Sequence, residues 1–182
     1  MPLEKDLPNT FMTLLEECWP APYTHVLVPT DFGVTAAHAL HKAIALARQQ
    51  RAALTMLHVL PGLSSMIAVD VDHVSAEIVT QVLEDCRTDA LQRLAALVPA
   101  DIASRVDYLV VNGGTAAAIR QTALRLRVDL VVMGHPQHCG WRRLFCRDLA
   151  REVVRQAPCS VLLVAGPTRY ELVNVSSRAF YL

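Results

Sequence analysis

The stretch His25-Val26-Leu27-Val28-Pro29, followed by Thr30-Asp31-Phe32-Gly33 and then by the Ala-, Leu- and Ile-rich run Val34 to Arg51, decides how the whole chain is read. A short apolar run closed by a proline predicts a strand, and the longer run after it predicts a helix. The same alternation returns along the chain. Ala53 to Leu60 is a second strand, stopped by Pro61-Gly62. Asp72 to Val98 carries apolar residues at helical spacing and ends at Pro99. Val106 to Val111 is a third strand, and Asn112-Gly113-Gly114-Thr115 turns into a helix from Ala116 to Arg127. Leu130 to Met133 is a fourth strand, stopped by Gly134, and a helix from about Leu144 to Gln156 leads to a fifth strand, Ser160 to Val164. Four of the strands are nearly continuous apolar runs, as expected where helices cover both faces of a parallel sheet. The pattern predicts one doubly wound α/β domain over about Tyr23 to Gly166.

Two segments fall outside that domain. Residues 1–22 hold Phe11, Leu14, Leu15 and Cys18 at helical spacing, with Trp19 beside them, and read as a short amphipathic helix packed on the body or on a partner. Residues 167–182 hold Val173, Val175, Phe180 and Tyr181 and read as an extra strand or a packing tail.

Composition narrows the function classes. The chain has 182 residues, enough for one sizeable core and short for two. It is 53% hydrophobic and 19% charged, which excludes disorder for the body of the chain. Lys+Arg and Asp+Glu both number 17, so the basic excess of a general nucleic-acid binder is missing. The longest charge-free run, Ala52 to Val69, is broken by Pro61-Gly62 and Ser64-Ser65, which argues against a membrane span. The N-terminus lacks the basic-then-apolar layout of a signal peptide, so the expected location is the cytoplasm with reduced thiols. Five cysteines without any CxxC do not suggest a disulfide framework or a zinc ribbon.

In an open parallel sheet a ligand sits beyond the carboxyl ends of the strands, where the strand order reverses. The loops at that end are Thr30 to Gly33, Pro61-Gly62, Asn112 to Thr115 and Gly134 to Trp141. Asp31 stands between a strand and a helix, and reads equally as a helix N-cap or as a polar contact in the crevice.

Over about Tyr23 to Gly166 the chain resembles the universal stress protein family. The resemblance rests on Val26-Leu-Val-Pro-Thr-Asp-Phe32, Met56-Leu-His-Val-Leu60, Gly114-Thr115-Ala116, Asp129-Leu-Val-Val-Met-Gly134 and Ala157-Pro-Cys-Ser-Val-Leu-Leu-Val164, in that order and spacing. It implies a flavodoxin- or Rossmann-like sheet in the order 3-2-1-4-5 and a homodimer joined through the edge strand Ser160–Val164. It also implies a non-catalytic binding or regulatory role under stress. Many members bind ATP through Gly-x2-Gly-x9-Gly-Ser/Thr, since bare glycines let the backbone approach phosphate and helix N–H groups point at it. Here Gly134 opens the motif, but Gln137 and Arg147 stand at the next two glycine positions and Asp148 at the hydroxyl position. A carboxylate facing phosphate costs about 1 kcal/mol or more. The resemblance thus assigns a degenerate nucleotide crevice to Thr30, Asp31, Leu60, Met133, Gly134, Gln137, Arg147 and Asp148. No cofactor is expected, ATP being the alternative.

Other constellations carry weaker chemistry. His135, His138, Cys139 and Cys146 cluster in sequence without matching a zinc motif, and no metal is expected. His58 sits in an apolar strand and reads as a satisfied core histidine. No G-x-S-x-G elbow or Walker lysine occurs, which argues against a hydrolase of either kind. Arg143, Arg147, Arg151 and Arg155 recur every four residues on the last helix. They read as a solvated or intersubunit arginine face, or else as a surface for an acidic partner or phosphate.

Overall fold

The computed structural model describes residues 22–61, 76–135 and 143–166, the side chains of Ala76 and of residues 143–148 excepted. Five parallel strands form the sheet: β1 (His25–Pro29), β2 (Ala53–Leu60), β3 (Val106–Asn112), β4 (Leu130–His135) and β5 (Ser160–Ala165), in the order β3-β2-β1-β4-β5. Among the described residues four helices connect them: α1 (Val34–Gln50), α2 (Ala76–Ala96), α3 (Thr115–Arg125) and α4 (Arg143–Gln156), with a 3-10 turn at Ala103–Arg105 before β3. The five-stranded parallel α/β architecture and its strand order are those expected. The amphipathic segment 1–22 falls, except for Pro22, outside the described residues, as does the tail 167–182.

The central strand shows why the apolar runs are continuous. Val26, Leu27 and Val28 are all fully buried, and successive side chains enter opposite layers. Val26 and Val28 pack with Ala39, Ala43, Ile44 and Ala47 of α1 and with Ala90 and Leu94 of α2. Leu27 packs with Ile119 and Ala123 of α3 and Val153 of α4. Each fully buried Leu or Val side chain contributes about 1.5–3 kcal/mol. The buried stripe of α1 is mostly alanine at 3-and-4 spacing, so this helix can lie close against the sheet.

Boundaries move where single residues bear on tertiary contacts. Gly134 does not stop β4; the strand runs on to His135 and pairs Gly134 with Val164. The third helix begins at Thr115 and ends at Arg125, with Arg127 turned to φ 51 in the left-handed region. Likewise α1 ends one residue early because Arg51, at φ 57, forms its C-cap. At the start of the sheet Asp129 joins β1 to β4. Its Oδ2 accepts from both the N–H and the hydroxyl of Thr24, at 2.7 Å each, and its Oδ1 from the His25 N–H at 3.2 Å.

Candidate functional site: a crevice at the strand-order reversal

Strand β1 pairs with β2 along its whole length, from His25 to Pro29, but with β4 only at Val26 and Leu27. Beyond Leu27 the two strands part, since the chain leaves β1 into α1 on one layer and β4 into α4 on the other. The gap is a cavity of about 390 Å³, lined at the strand ends by Pro29, Thr30, Asp31, Leu57, Val59, Met133 and Gly134. Helices contribute Thr35 and Ala36 of α1, Thr115 and Ile119 of α3, and Leu149 of α4.

Thr30 is held at three points. Its N–H donates to the Leu57 carbonyl at 2.9 Å, its Oγ1 accepts from the Phe32 N–H at 3.0 Å, and its carbonyl is 2.8 Å from His58 Nδ1. That last distance makes Nδ1–H the donor. Asp31 is not the helix N-cap. Its Oδ1 accepts from the Gly33 N–H at 2.8 Å, an Asx turn, while Gly33 itself is the N-cap and makes no side-chain cap bond. Asp31 therefore remains exposed at the crevice with one oxygen engaged locally. The α3 N-cap, Gly114, also lacks a side-chain cap bond, so two helix N-termini without side-chain caps open at this end.

Behind this loop lies a stack of three rings and planes. Phe32 adopts φ 62, an uncommon conformation for a bulky residue. The Arg93 guanidinium of α2 lies 4.0 Å from its ring centroid, and the His58 ring lies 4.5 Å away at 42°. By strand alternation His58 shares the β2 face of Met56 and Leu60, on the α1–α2 layer. It is half-buried, lines the crevice beside Thr30 and supports that loop, rather than filling the deep core.

Of the residues expected at the crevice, Thr30, Asp31, Met133 and Gly134 meet there. Leu60 does not: it is buried among the α1–α2 core residues, and its neighbour Val59 faces the crevice instead. A period of two decides this, since one step along a strand changes face. Gln137 lies outside the described residues, as do the side chains of Arg147 and Asp148; His138 and Cys139 and the Cys146 side chain fall there too. Among the described residues no cluster of three metal-ligating side chains forms. Thr115, at the end of the Asn112–Thr115 loop expected at this end of the sheet, lines the crevice, whereas Thr35 and Leu149 depend on helix placement alone and were not legible.

The family model described as the universal stress protein family matches residues 22–165. The chain belongs to the universal stress protein family. Universal stress protein MJ0531 of Methanocaldococcus jannaschii is 24% identical over 147 residues, covering 81% of this chain and 85% of that one. The solved universal stress protein UspA from Lactobacillus plantarum superposes with a TM-score of 0.61 at 24% identity, over 80% of this chain and 99% of its own. A universal stress protein solved in complex with cAMP gives a TM-score of 0.55 at 19% identity, over 81% of this chain and 100% of its own. These likenesses give this universal stress protein the same sheet. Among the described residues no helix is long and apolar enough to cross a membrane.

Proposed function

We propose that this universal stress protein is a non-catalytic binding or regulatory module of the cytoplasmic stress response. In this reading it works as a homodimer and does not hold ATP tightly. The observation that carries the reading is the divided state of the crevice. Its strand end is built, with Thr30 fixed at three points and Asp31 exposed near Met133 and Gly134 of β4. At the motif positions that ATP-binding relatives use for phosphate, the sequence carries Gln137, Arg147 and Asp148 in place of two glycines and a hydroxyl. The one motif glycine that remains, Gly134, is needed for packing: a Cβ there would lie 2.6 Å from the Thr35 carbonyl oxygen. Its retention therefore requires no phosphate.

A second reading is a nucleotide-binding stress protein with weak or no hydrolysis. It is supported by the two helix N-termini without side-chain caps at the crevice, which suit an anion. A relative solved with cAMP, a nucleotide with a single phosphate, supports it too. Titration calorimetry with Mg-ATP and with cAMP separates the two. Absence of micromolar binding to Mg-ATP is the expected result. Micromolar or tighter affinity would overturn the first reading in favour of the second.

The homodimer is supported by the edge strand β5. It pairs with β4 alone among the described strands, and Leu162 and Leu163, on its two faces, are each 39% exposed. An apolar edge facing water is a liability that a second copy would cover.

A further inference from the structure

The α3–α4 layer carries charge that the crevice does not use. From Thr115 to Gln156 the sequence has eight arginines against three acidic residues, a net charge of +5 in a chain whose total is zero. Both helices follow strands of one parallel sheet, so both descend from the crevice end, and their last turns lie where the strands begin. At that end Arg125, Arg127, Arg151 and Arg155 are exposed, together with Leu124 and Val154 at 52% each. The ion pairs among the described residues, Arg48–Asp101 and Arg93–Asp89, lie elsewhere, and none of these four arginines forms one. The carboxylate of Asp129 is nearby but is engaged by Thr24 and His25. Arg125 and Arg155 suit their helix C-termini. That does not account for Arg127, Arg151 or the two exposed aliphatic side chains.

The chain itself contains a complementary segment. Residues 1–21 hold Glu4, Asp6, Glu16 and Glu17 against Lys5, a net charge of −3, with Phe11, Leu14, Leu15 and Trp19 on a helical period. They join the body at the same end as the basic patch. Thr24 is bonded to Asp129, and His25 Nδ1 is 3.2 Å from the Leu126 carbonyl, in the turn that follows α3. Twenty-one residues are ample to double back over one helix end.

We propose that residues 1–21 dock within the same chain on the patch formed by the last turns of α3 and α4, their acidic residues against Arg125, Arg127, Arg151 and Arg155 and their apolar face over Leu124 and Val154. The interaction is independent of any crevice ligand. Being mostly electrostatic at its rim, it weakens with ionic strength.

Trp19 reports on it directly. In the full-length chain carrying Trp141→Phe, Trp19 should emit as a shielded indole and resist acrylamide. The double change Arg151→Glu, Arg155→Glu should shift the emission to the red and raise quenching to the level of the same chain in urea, with far-UV dichroism unchanged. Adding Glu16→Arg and Glu17→Arg to that variant should restore the shielded emission, which a merely unfolded variant could not do. Solvated Trp19 emission in the parent, or emission indifferent to the reversals, would overturn the docking. Shielding that grows with protein concentration would assign the surface to a second copy and overturn docking within one chain.

Discussion

Gly134 and Thr35 touch across the layer between β4 and the first turn of α1. A Cβ built on Gly134 would lie 2.6 Å from the Thr35 carbonyl oxygen and 2.8 Å from its Cγ2. Gly166 meets the same threonine, with 3.2 Å between a built Cβ and Thr35 Oγ1. The start of α1 is thus seated against two bare Cα positions, and this seating sets one wall of the crevice.

Gly134→Ala should therefore destabilise the fold by about 1–3 kcal/mol, through backbone displacement rather than loss of a ligand. Gly114→Ala is the control. It has an ordinary φ of −76° and nothing within 4 Å of a built Cβ, and the preference of an N-cap for glycine over alanine is offset by the lower entropy of the unfolded chain, so its effect should stay within about 0.5 kcal/mol. Urea denaturation of the two variants, without nucleotide, measures the difference.

The phosphate end can be rebuilt. Gln137→Gly, Arg147→Gly and Asp148→Ser together restore the glycines and the hydroxyl of ATP-binding relatives. This triple variant should gain affinity for Mg-ATP by tenfold or more, on the order of 1.4 kcal/mol. Calorimetry showing no gain would place the obstruction elsewhere in the crevice.

Asp129 makes stability depend on acid. Partial burial pushes its carboxyl up, but the hydrogen bonds from Thr24 and His25 outweigh this and hold it below the usual aspartate value. A group depressed in the folded state stabilises above its unfolded pKa, about 3.9, and that contribution is lost as pH falls through the unfolded and then the folded value. Because the Thr24 donors stay open to solvent and asparagine keeps one acceptor oxygen, Asp129→Asn should cost about 0.5–1.5 kcal/mol near neutral pH. It should also flatten the decline in stability below about pH 4, as followed by denaturation at a series of pH values.

Leu162→Lys or Val164→Lys should split the proposed dimer into monomers, because a lysine on a buried intersubunit edge loses its solvation. Removing residues 168–182 should leave the dimer intact. Light scattering at tens of micromolar reads both, and a monomer from the unmodified chain would end the β5 interface proposal.

The sequence by itself determined the layer architecture. Val26-Leu27-Val28 and Leu130-Val131-Val132 announce strands buried on both faces because no polar alternation interrupts them. The alanine stripe of α1 announces the helix that covers one face. It also located the crevice loops through Pro29, Gly33 and Gly134, since loops after parallel strands gather at one end. What it could not determine were contacts between residues far apart in the chain. Gly134 read as a strand stop or a phosphate glycine, and only the placement of Thr35 beside it shows a packing contact. Leu60 and Val59 exchange roles by one step of register, which pairing to β1 and β3 decides. Asp31 read equally as a cap or as a crevice contact; Gly33 is the cap and Asp31 lines the crevice, with Phe32 left-handed under Arg93, a residue sixty-one positions away. Local pattern determines which elements form because burial acts on each side chain separately. Which side chains meet is decided by chain closure, and that exists only in the folded molecule.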